Sequence, residues 1–259
     1  MPVQIRNPHS VLAALQTRPK DVLQITLPKG DPTEGNDAWA QVARLARDKG
    51  VQLSSGGGGG GPRGPEPRRG GKSGPSPRGE EGGRFGVAEA TVRERAGISA
   101  EELFAGARER AGGKGLWLAL DSLQDPHNVG AIFRAAAFFG VQGILMTQER
   151  SAPLTGAAYD VSCGGVEYVP FTQQVNLQRA FEIAKDQGLW ILGTSEHAQD
   201  SLDSIAKDRP WLLVLGNEEK GLRRLTEESC DVLCRIPARG QVTSLNVSVA
   251  AGIFISKLT

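Results

Sequence analysis

The sequence is poor in the residues that mark several large classes of protein. It has three cysteines, Cys163, Cys230 and Cys234, at irregular spacing, and an odd number of this kind does not indicate a disulfide framework. Cys230 and Cys234 lie four residues apart, but no nearby histidine or further cysteine completes a zinc set. We therefore expect three reduced, buried, small apolar side chains and no metal site.

The sequence also lacks long apolar segments and a strong net charge. No apolar run approaches the roughly 20 residues that span a bilayer, and residues 1–10 contain no apolar core of a signal peptide. These absences predict a cytoplasmic protein without a membrane partner. The net charge is +1, divided into +4 over residues 1–113 and −3 over residues 114–259. A mildly basic front is compatible with contact to RNA or DNA, and equally with an ordinary solvated surface.

Glycine is abundant, but its excess is local. Of the 34 glycines, 13 fall between Ser54 and Arg84, together with five prolines. Such a stretch cannot bury a core, so residues 54–84 are predicted to form a flexible insertion. The rest of the chain is long enough for one large domain or two small ones.

Fragments of two nucleotide-binding motifs occur inside this stretch, and both matches are spurious. Gly56–Gly61 satisfies a dinucleotide fingerprint trivially, but prolines follow it where a helix is required. Gly71, Lys72 and Ser73 end a phosphate-binding loop motif, but Glu66 stands where the first glycine belongs.

The first part of the chain is typical of a small α/β unit. Ser99 and Glu102 form a capping box at the start of its last helix. Because helices and strands are predicted on both sides of the glycine-rich stretch, that stretch lies inside the first domain, and the domain boundary is placed near residues 111–115. The predicted helices are Val11–Leu15, Trp39–Lys49 and Ser99–Arg110, and the predicted strands are Val22–Leu27, Val51–Leu53 and Val87–Val92.

Strands and helices alternate from Leu116 onward, which predicts a mostly parallel sheet covered on both faces. The predicted strands are Leu116–Leu120, Gly143–Met146, Trp190–Leu192, Trp211–Leu215 and Val232–Ile236. The predicted helices are Gly130–Phe139, Leu177–Gln187 and Ser244–Leu258.

A purely structural role does not fully explain three polar segments of this second part. The first runs from Asp125 to Arg134, directly after a strand, where α/β proteins form their sites. Asn128 and Gly130 suit the turn into a helix, but Arg134 lies one turn inside an otherwise apolar helix. A structural arginine paired with a carboxylate is the alternative interpretation.

The second segment, Gly216–Gly221, follows the apolar strand Trp211–Leu215, and its glycine would let a ligand approach the backbone. The third segment is Ser244–Ser248. Ser244 suits the helix cap, whereas Asn246 and Ser248 in the first turns of a helix could face a ligand. Ordinary loops and caps remain the alternative for both segments.

Taken together, the three segments resemble the SpoU/TrmH branch of the SPOUT methyltransferases. The motifs of that family are similar to Asn128–Arg134, Gly216–Gly221 and Ser244–Ser248, in the same order. The resemblance covers residues 116–259. A weaker match, Asn7–Val11, is similar to the opening of the L30e-like substrate domain in the subgroup that methylates guanosine in ribosomal RNA, although Asn7 replaces a glycine of that pattern.

The resemblance implies an α/β fold with a deep C-terminal trefoil knot, S-adenosylmethionine as methyl donor, and a homodimer. It implies an RNA-binding L30e-like domain over residues 1–113, with His9 in contact with RNA, and a methyltransferase domain over residues 114–259. Carried over to this sequence, the donor contacts fall at Thr194, Gly216, Ile236 and Leu245. Glu219 departs from the family pattern, where glycine is common, and adds bulk and charge beside the pocket.

The implied reaction transfers a methyl group to a ribose 2′-hydroxyl, with Arg134 in the central role and in contact with RNA. Arg134 is either the base, in an environment altered by a substrate phosphate, or a phosphate-binding group that aligns the hydroxyl. Asn128 would hold the ribose or Arg134, and Glu218 would position Arg134 or substrate. Ser244 and Asn246 would complete the pocket, and His127 is a weaker catalytic candidate.

Three functions therefore compete. The leading one is 2′-O-methylation of a guanosine in 23S ribosomal RNA. Because the catalytic motifs are shared, methylation of transfer RNA is the first alternative. A non-catalytic RNA-binding or ribosome-assembly protein is the second, and the intact Arg134, Glu218, Ser244 and Asn246 argue against it.

Overall fold

A computed structural model describes residues 1–27, 37–55, 88–110 and 112–259. The predicted insertion at residues 54–84 lies outside the described residues from position 56 onward, as does the start of the predicted strand Val87–Val92. Ser54 and Ser55, which we assigned to the insertion, instead belong to a strand.

The described residues of the N-terminal part form a four-stranded sheet with two α-helices. Its elements are β1 (Pro2–Ile5), α1 (Pro8–Thr17), β2 (Val22–Leu27), α2 (Ala38–Asp48), β3 (Leu53–Ser55) and β4 (Glu89–Arg93). The strand order is β1-β4-β2-β3. Strands β1 and β2 run antiparallel to β4, whereas β2 and β3 are parallel. The α/β character predicted for this part is confirmed, and β1 is a strand that the sequence analysis missed.

The predicted helix Ser99–Arg110 is divided in two, α3 (Ala100–Phe104) and α4 (Ala107–Arg110). Between them Gly106 adopts a left-handed φ of 59°, a conformation that glycine tolerates and that ends a helix. The predicted cap is confirmed, because the Ser99 hydroxyl accepts a hydrogen bond of 3.0 Å from the Glu102 amide.

The C-terminal part is a seven-stranded, wholly parallel sheet in the order β7-β6-β5-β10-β8-β11-β9. Its strands are β5 (Gly115–Leu120), β6 (Gly143–Thr147), β7 (Phe171–Gln174), β8 (Trp190–Thr194), β9 (Asp200–Ser201), β10 (Pro210–Leu215) and β11 (Val232–Arg235). Its helices are α5 (Pro126–Phe139), α6 (Gly156–Ser162), α7 (Gly165–Tyr168), α8 (Leu177–Asp186), α9 (Arg224–Glu228) and α10 (Val247–Leu258). The predicted parallel α/β fold is confirmed.

Strand β5 shows why both faces of this sheet are covered. Leu116, Leu118 and Leu120 point into one apolar core, which extends into the N-terminal sheet. Trp117 and Ala119 point into a second core, formed with α3 and α8. Because side chains alternate along a strand, a continuous apolar sequence such as β5 can fill both cores.

Two helix starts differ from the sequence predictions. Helix α5 begins at Pro126, four residues earlier than expected, because the Asp125 side chain caps it by accepting a hydrogen bond of 2.8 Å from the His127 amide. Asn128 and Gly130 therefore lie inside the helix and not in a turn before it.

Helix α10 begins at Val247, three residues later than expected, and its N-cap is Asn246. The alternative, purely structural role of Ser244 as the cap of this helix is therefore not the one observed. Asn246 takes the role because its carboxamide oxygen accepts from the Ser248 amide at 2.9 Å.

All three cysteines are free thiols, as predicted, although only Cys234 is fully buried and Cys163 and Cys230 are partly exposed. Among the described residues, none of the helices is long and apolar enough to cross a membrane.

Candidate active site

Four loops meet at the carboxyl edge of the parallel sheet. They follow β5, β8, β10 and β11 and comprise residues 121–125, 195–199, 216–223 and 236–246. Because β5, β10 and β8 are neighbouring parallel strands, their carboxyl ends bring these loops together. All three sequence motifs lie on or next to this edge.

The loop after β10 is closed on itself by two glycines. The amides of Asn217 and Gly221 each donate to the carbonyl of the other, at 2.9 and 3.0 Å. A Cβ at Gly216 would lie 2.3 Å from the carbonyl carbon of Gly221, which itself adopts a left-handed φ of 67°. Gly216 is buried and is needed for the packing of its own loop. Its predicted backbone contact with the donor stays a prediction.

Glu218 projects from this loop toward the loop after β5. Its carboxylate accepts a hydrogen bond of 3.1 Å from the side-chain amide of Asn128, and one of 3.2 Å from that of Asn217. The amides of Gln124 and Asp125 approach it at 3.4 Å. Its side-chain partners are thus Asn128 and Asn217, whereas the hydrogen bonds of the described residues include none to Arg134.

Asn246 connects the third motif to the first. Its side-chain amide donates a hydrogen bond of 3.0 Å to the side-chain oxygen of Asn128, 118 positions away. The Asn246 oxygen accepts from the amide and hydroxyl of Ser248, at 2.9 and 2.6 Å. The three motifs are therefore joined in one chain of hydrogen bonds, Glu218–Asn128–Asn246–Ser248.

A buried carboxylate, Asp121, stabilises the same two loops and was missed by the sequence analysis. It is fully buried at the end of β5 and accepts from the Arg223 side chain at 2.6 Å and the Ser122 hydroxyl at 3.0 Å. The side-chain amide of Asn217 adds a bond of 2.9 Å to the Ser122 carbonyl. An acidic residue directly after an apolar strand was the signal that could have identified it.

Arg134 is exposed on α5, two turns beyond Asn128. Within the described ranges, no hydrogen bond or ion pair involves its guanidinium, so the alternative of a structural pair with a carboxylate is not supported there. His127 is also exposed, and its backbone amide takes part in the cap of α5.

A pocket of about 600 Å³ opens between the loops after β8, β10 and β11. Its lining includes the predicted residues Thr194, Glu218, Ile236, Ser244 and Leu245. Gly216 and Asn246 are not part of that lining.

The pocket also contains residues that the sequence analysis did not single out. Glu196 and His197 follow β8, and Leu222 and Phe254 add apolar surface. Cys234 forms part of the wall, where burial raises the pKa of its thiol to about 12. The thiol is therefore protonated, and unreactive as a nucleophile, at neutral pH. In the described part of the chain, no three histidine, cysteine or acidic side chains are grouped so that they could hold a metal ion.

His9, the predicted RNA contact of the N-terminal part, lies exposed on α1 and is not part of the pocket. Its neighbours Asn7 and Ser10 instead form hydrogen bonds to residues 159–164 of the C-terminal part. The contact of His9 with RNA stays a prediction.

The chain is similar to known proteins over most of its length. Residues 115–256 match the model of the SpoU rRNA methylase family. A 23S rRNA (guanosine-2′-O-)-methyltransferase from Nitrosomonas europaea is 44% identical over 167 residues, which are 64% of this chain and 63% of that protein. A protein of the same name from Pseudomonas putida is 35% identical over 246 residues, 95% of this chain and 91% of that one.

The fold has solved counterparts as well. The AdoMet-bound rRNA methyltransferase from Sinorhizobium meliloti superimposes with a TM-score of 0.71 at 18% identity, covering 99% of this chain and 86% of that one. At this identity the likeness concerns the fold.

Proposed function

Because the chain belongs to the SpoU rRNA methylase family, we propose that it transfers a methyl group from S-adenosylmethionine to a ribose 2′-hydroxyl of RNA. The observation that carries this proposal is the chain of hydrogen bonds from Glu218 through Asn128 to Asn246. It joins three motifs that are distant in sequence, and it lies beside a pocket. Its central member, Asn128, belongs to the helix that also carries Arg134.

The pocket suits the proposed donor. Its volume of about 600 Å³ lies within the roughly 300–1,000 Å³ typical of cofactor sites. Leu222, Ile236, Leu245 and Phe254 provide apolar surface for a nucleobase, and Glu218 and Glu219 provide negative charge for a sulfonium. When bound, S-adenosylmethionine supplies a methyl group on a positively charged sulfur. Thr194, Ile236 and Leu245 would hold it, together with the backbone of Gly216.

Arg134 is the proposed centre of catalysis. It has no partner among the described residues, so its guanidinium is available to a substrate phosphate. A guanidinium holds its proton firmly and is a poor base, which favours the role of Arg134 in binding that phosphate and aligning the 2′-hydroxyl. Glu218 and Asn128 would act on the ribose side, with Ser244 and Asn246 completing the site.

The substrate we propose is a guanosine of 23S ribosomal RNA. The names of the Nitrosomonas and Pseudomonas relatives support it. This chain matches about 63% of the length of the Nitrosomonas protein. The substrate in that protein's name is therefore carried over to this chain only as a proposal. In this proposal residues 1–113 are the L30e-like RNA-binding domain with His9 at its surface, residues 114–259 are the methyltransferase domain, and the protein acts in the cytoplasm.

We also propose the trefoil knot of the family. Strand β10 is inserted between β5 and β8, and β11 lies beyond β8. From there the chain returns across the carboxyl edge, and α10 packs against α5. Because the segment from β11 to α10 passes the loop after β10 on its way back to α5, this path supports a chain that is threaded through that loop.

A homodimer is part of the same proposal. Helices α5 and α10 are in contact, and both expose large apolar side chains. Phe138 is 82% exposed, Val249 52% and Ile253 40%. Exposed large apolar side chains on two helices that contact each other are typical of a protein interface, and a second copy of the chain would cover them.

Methyl transfer with tritiated donor tests the function. Protein-free 23S ribosomal RNA should accept label and total transfer RNA should not, and mapping the labelled nucleotide should identify a guanosine ribose. Label on transfer RNA alone would support the alternative substrate. Binding of RNA without any transfer would support the non-catalytic alternative.

A further inference from the structure

Helices α6 and α7 lie between the N-terminal sheet and the catalytic helix α5. We call residues 156–169, which contain both helices, the bridge segment. On one side it packs against α5, and on the other against α1 and β1. The part of the chain proposed to bind RNA therefore contacts α5 through this segment.

Glycines allow the bridge segment to lie very close to both neighbours. A Cβ at Gly156 would lie 2.1 Å from the carbonyl oxygen of Gln4 in β1. A Cβ at Gly165 would lie 2.5 Å from the carbonyl oxygen of Phe133, the residue before Arg134. Close-packed backbone transmits displacement with little room for adjustment.

The start of α1 is tied to the bridge segment by several hydrogen bonds. The amides of Arg6 and Asn7 donate to one carboxylate oxygen of Asp160, at 2.7 and 2.8 Å. The Ser10 hydroxyl is buried, donates to the Tyr159 carbonyl at 2.6 Å and accepts from the Gly164 amide at 3.0 Å. Asn7 and Ser10, which form these bonds, belong to the segment Asn7–Val11 that resembles the opening of an L30e-like substrate domain.

The end of α1 is tied to the same segment by a buried ion pair. The Glu167 side chain is fully buried, and its two oxygens accept from Nε and Nη2 of Arg18, each at 2.7 Å. Arg18 is 13% exposed. A forked pair of this kind fixes orientation as well as distance. A lysine could supply the charge but not the second bond in the same plane.

We propose that Arg18 and Glu167 are positioning residues for methyl transfer. They hold the N-terminal sheet in one orientation against the bridge segment, and hence against α5, so that RNA bound to the sheet presents its ribose at Arg134. This inference rests on the proposed function. A buried ion pair adds little net stability compared with apolar residues, whereas its geometry is specific.

Two variants test the proposal without leaving either member of the Arg18–Glu167 pair as an unmatched charge. Arg18→Lys keeps the charge and removes the fork, and the double variant Arg18→Gln with Glu167→Gln removes both charges. The exposed pair of Arg224 and Glu228, at 2.6 Å on α9, provides a matched control, Arg224→Gln. The assay measures kcat and KM with protein-free 23S ribosomal RNA, the Kd of the donor, and Tm.

We expect kcat with RNA to fall about ten- to a hundredfold in both test variants, with KM and donor Kd within about twofold of wild type. The control should leave all three unchanged. A lower Tm with wild-type kcat would mean that the pair is merely structural, and would overturn the proposal.

Orientation can be measured independently of activity. Two spin labels would be attached at Gln24→Cys in β2 and Glu182→Cys in α8, which are both exposed. The native cysteines would be replaced by alanine, and the labelled protein would be diluted with unlabelled protein so that distances within one chain are measured. We expect one narrow distance distribution, which broadens in the double glutamine variant. A broad distribution before that change would overturn the inference, whereas absence of methyl transfer with a narrow distribution would refute only the proposed function.

Discussion

Asn128 lies at the centre of the hydrogen-bond chain because a carboxamide can donate and accept at the same time. It donates to Glu218 and accepts from Asn246. A carboxylate at this position would lose the donor and repel Glu218, and an alanine would lose both bonds. The side chain is 7% exposed, so neither bond is easily replaced by water.

Arg134→Ala tests the central catalytic assignment. Methyl transfer to RNA should fall at least about a hundredfold, because the group that orients the 2′-hydroxyl is lost. The free energy of unfolding should change by less than about 0.5 kcal/mol, because the side chain is exposed. Donor affinity, measured by calorimetry, should stay at the wild-type value. Near-normal turnover in this variant would refute the assignment.

Two substitutions at Asn246 separate its structural role from its role in the site. Asn246→Ala removes both the cap of α10 and the bond to Asn128, and should cost about 1 kcal/mol of stability together with activity. Asn246→Asp keeps a capping oxygen but loses the donor to Asn128, so stability should be nearly retained while kcat falls. Denaturant unfolding and RNA methylation assays measure the two effects. Equal kcat values in Asn246→Asp and wild type would show that the bond to Asn128 is dispensable.

At the scale of elements, the contact between α5 and α6 depends on Gly130. A Cβ added there would lie 2.5 Å from the carbonyl oxygen of Ala158. Although alanine is the better helix former by about 1 kcal/mol, the overpacking should dominate. We expect Gly130→Ala to destabilise the protein by about 1–3 kcal/mol and to lower kcat, since α5 carries Asn128 and Arg134.

Gly240→Ala is the matched control for this change. Gly240 lies in the loop after β11, and nothing is found within 4 Å of an added Cβ. Its Tm should stay close to that of wild type. If Gly130→Ala also melts at the wild-type temperature, the close approach of α6 does not limit the position of α5.

The boundaries of the elements could be predicted only in part. Strand β2 was predicted with both ends correct, because a polar or breaking residue flanks an apolar run on each side. The starts of α5 and α10 were displaced, since Asp125, Asn128, Ser244 and Asn246 are all residue types that can cap a helix. Local preference does not choose between such candidates, whereas the packing of each helix does.

At the scale of the whole molecule, the exposed apolar side chains of α5 and α10 predict self-association. The chain has a mass of 27.5 kDa, so light scattering after size exclusion should give about twice that value for a C2 dimer. Ile253→Asp would place a charge among these side chains and should shift the equilibrium toward the monomer. A monomeric wild type at micromolar concentration would refute the dimer.

The sequence by itself determined the parallel α/β class, the three motifs and the family. Each of these depends on residues close together in the chain: apolar runs separated by caps, and short motifs in a given order. Only the tertiary structure decided that Glu218 bonds to Asn128, that Asn246 and not Ser244 caps α10, and that Asn7 and Ser10 contact the bridge segment. The physical reason is distance along the chain. The hydrogen-bond partners lie about 90 to 150 positions apart, and only the strand order and the close packing bring them within reach. The two candidate caps of α10 are close in sequence and equally suitable, so only the packing of the helix selects one of them.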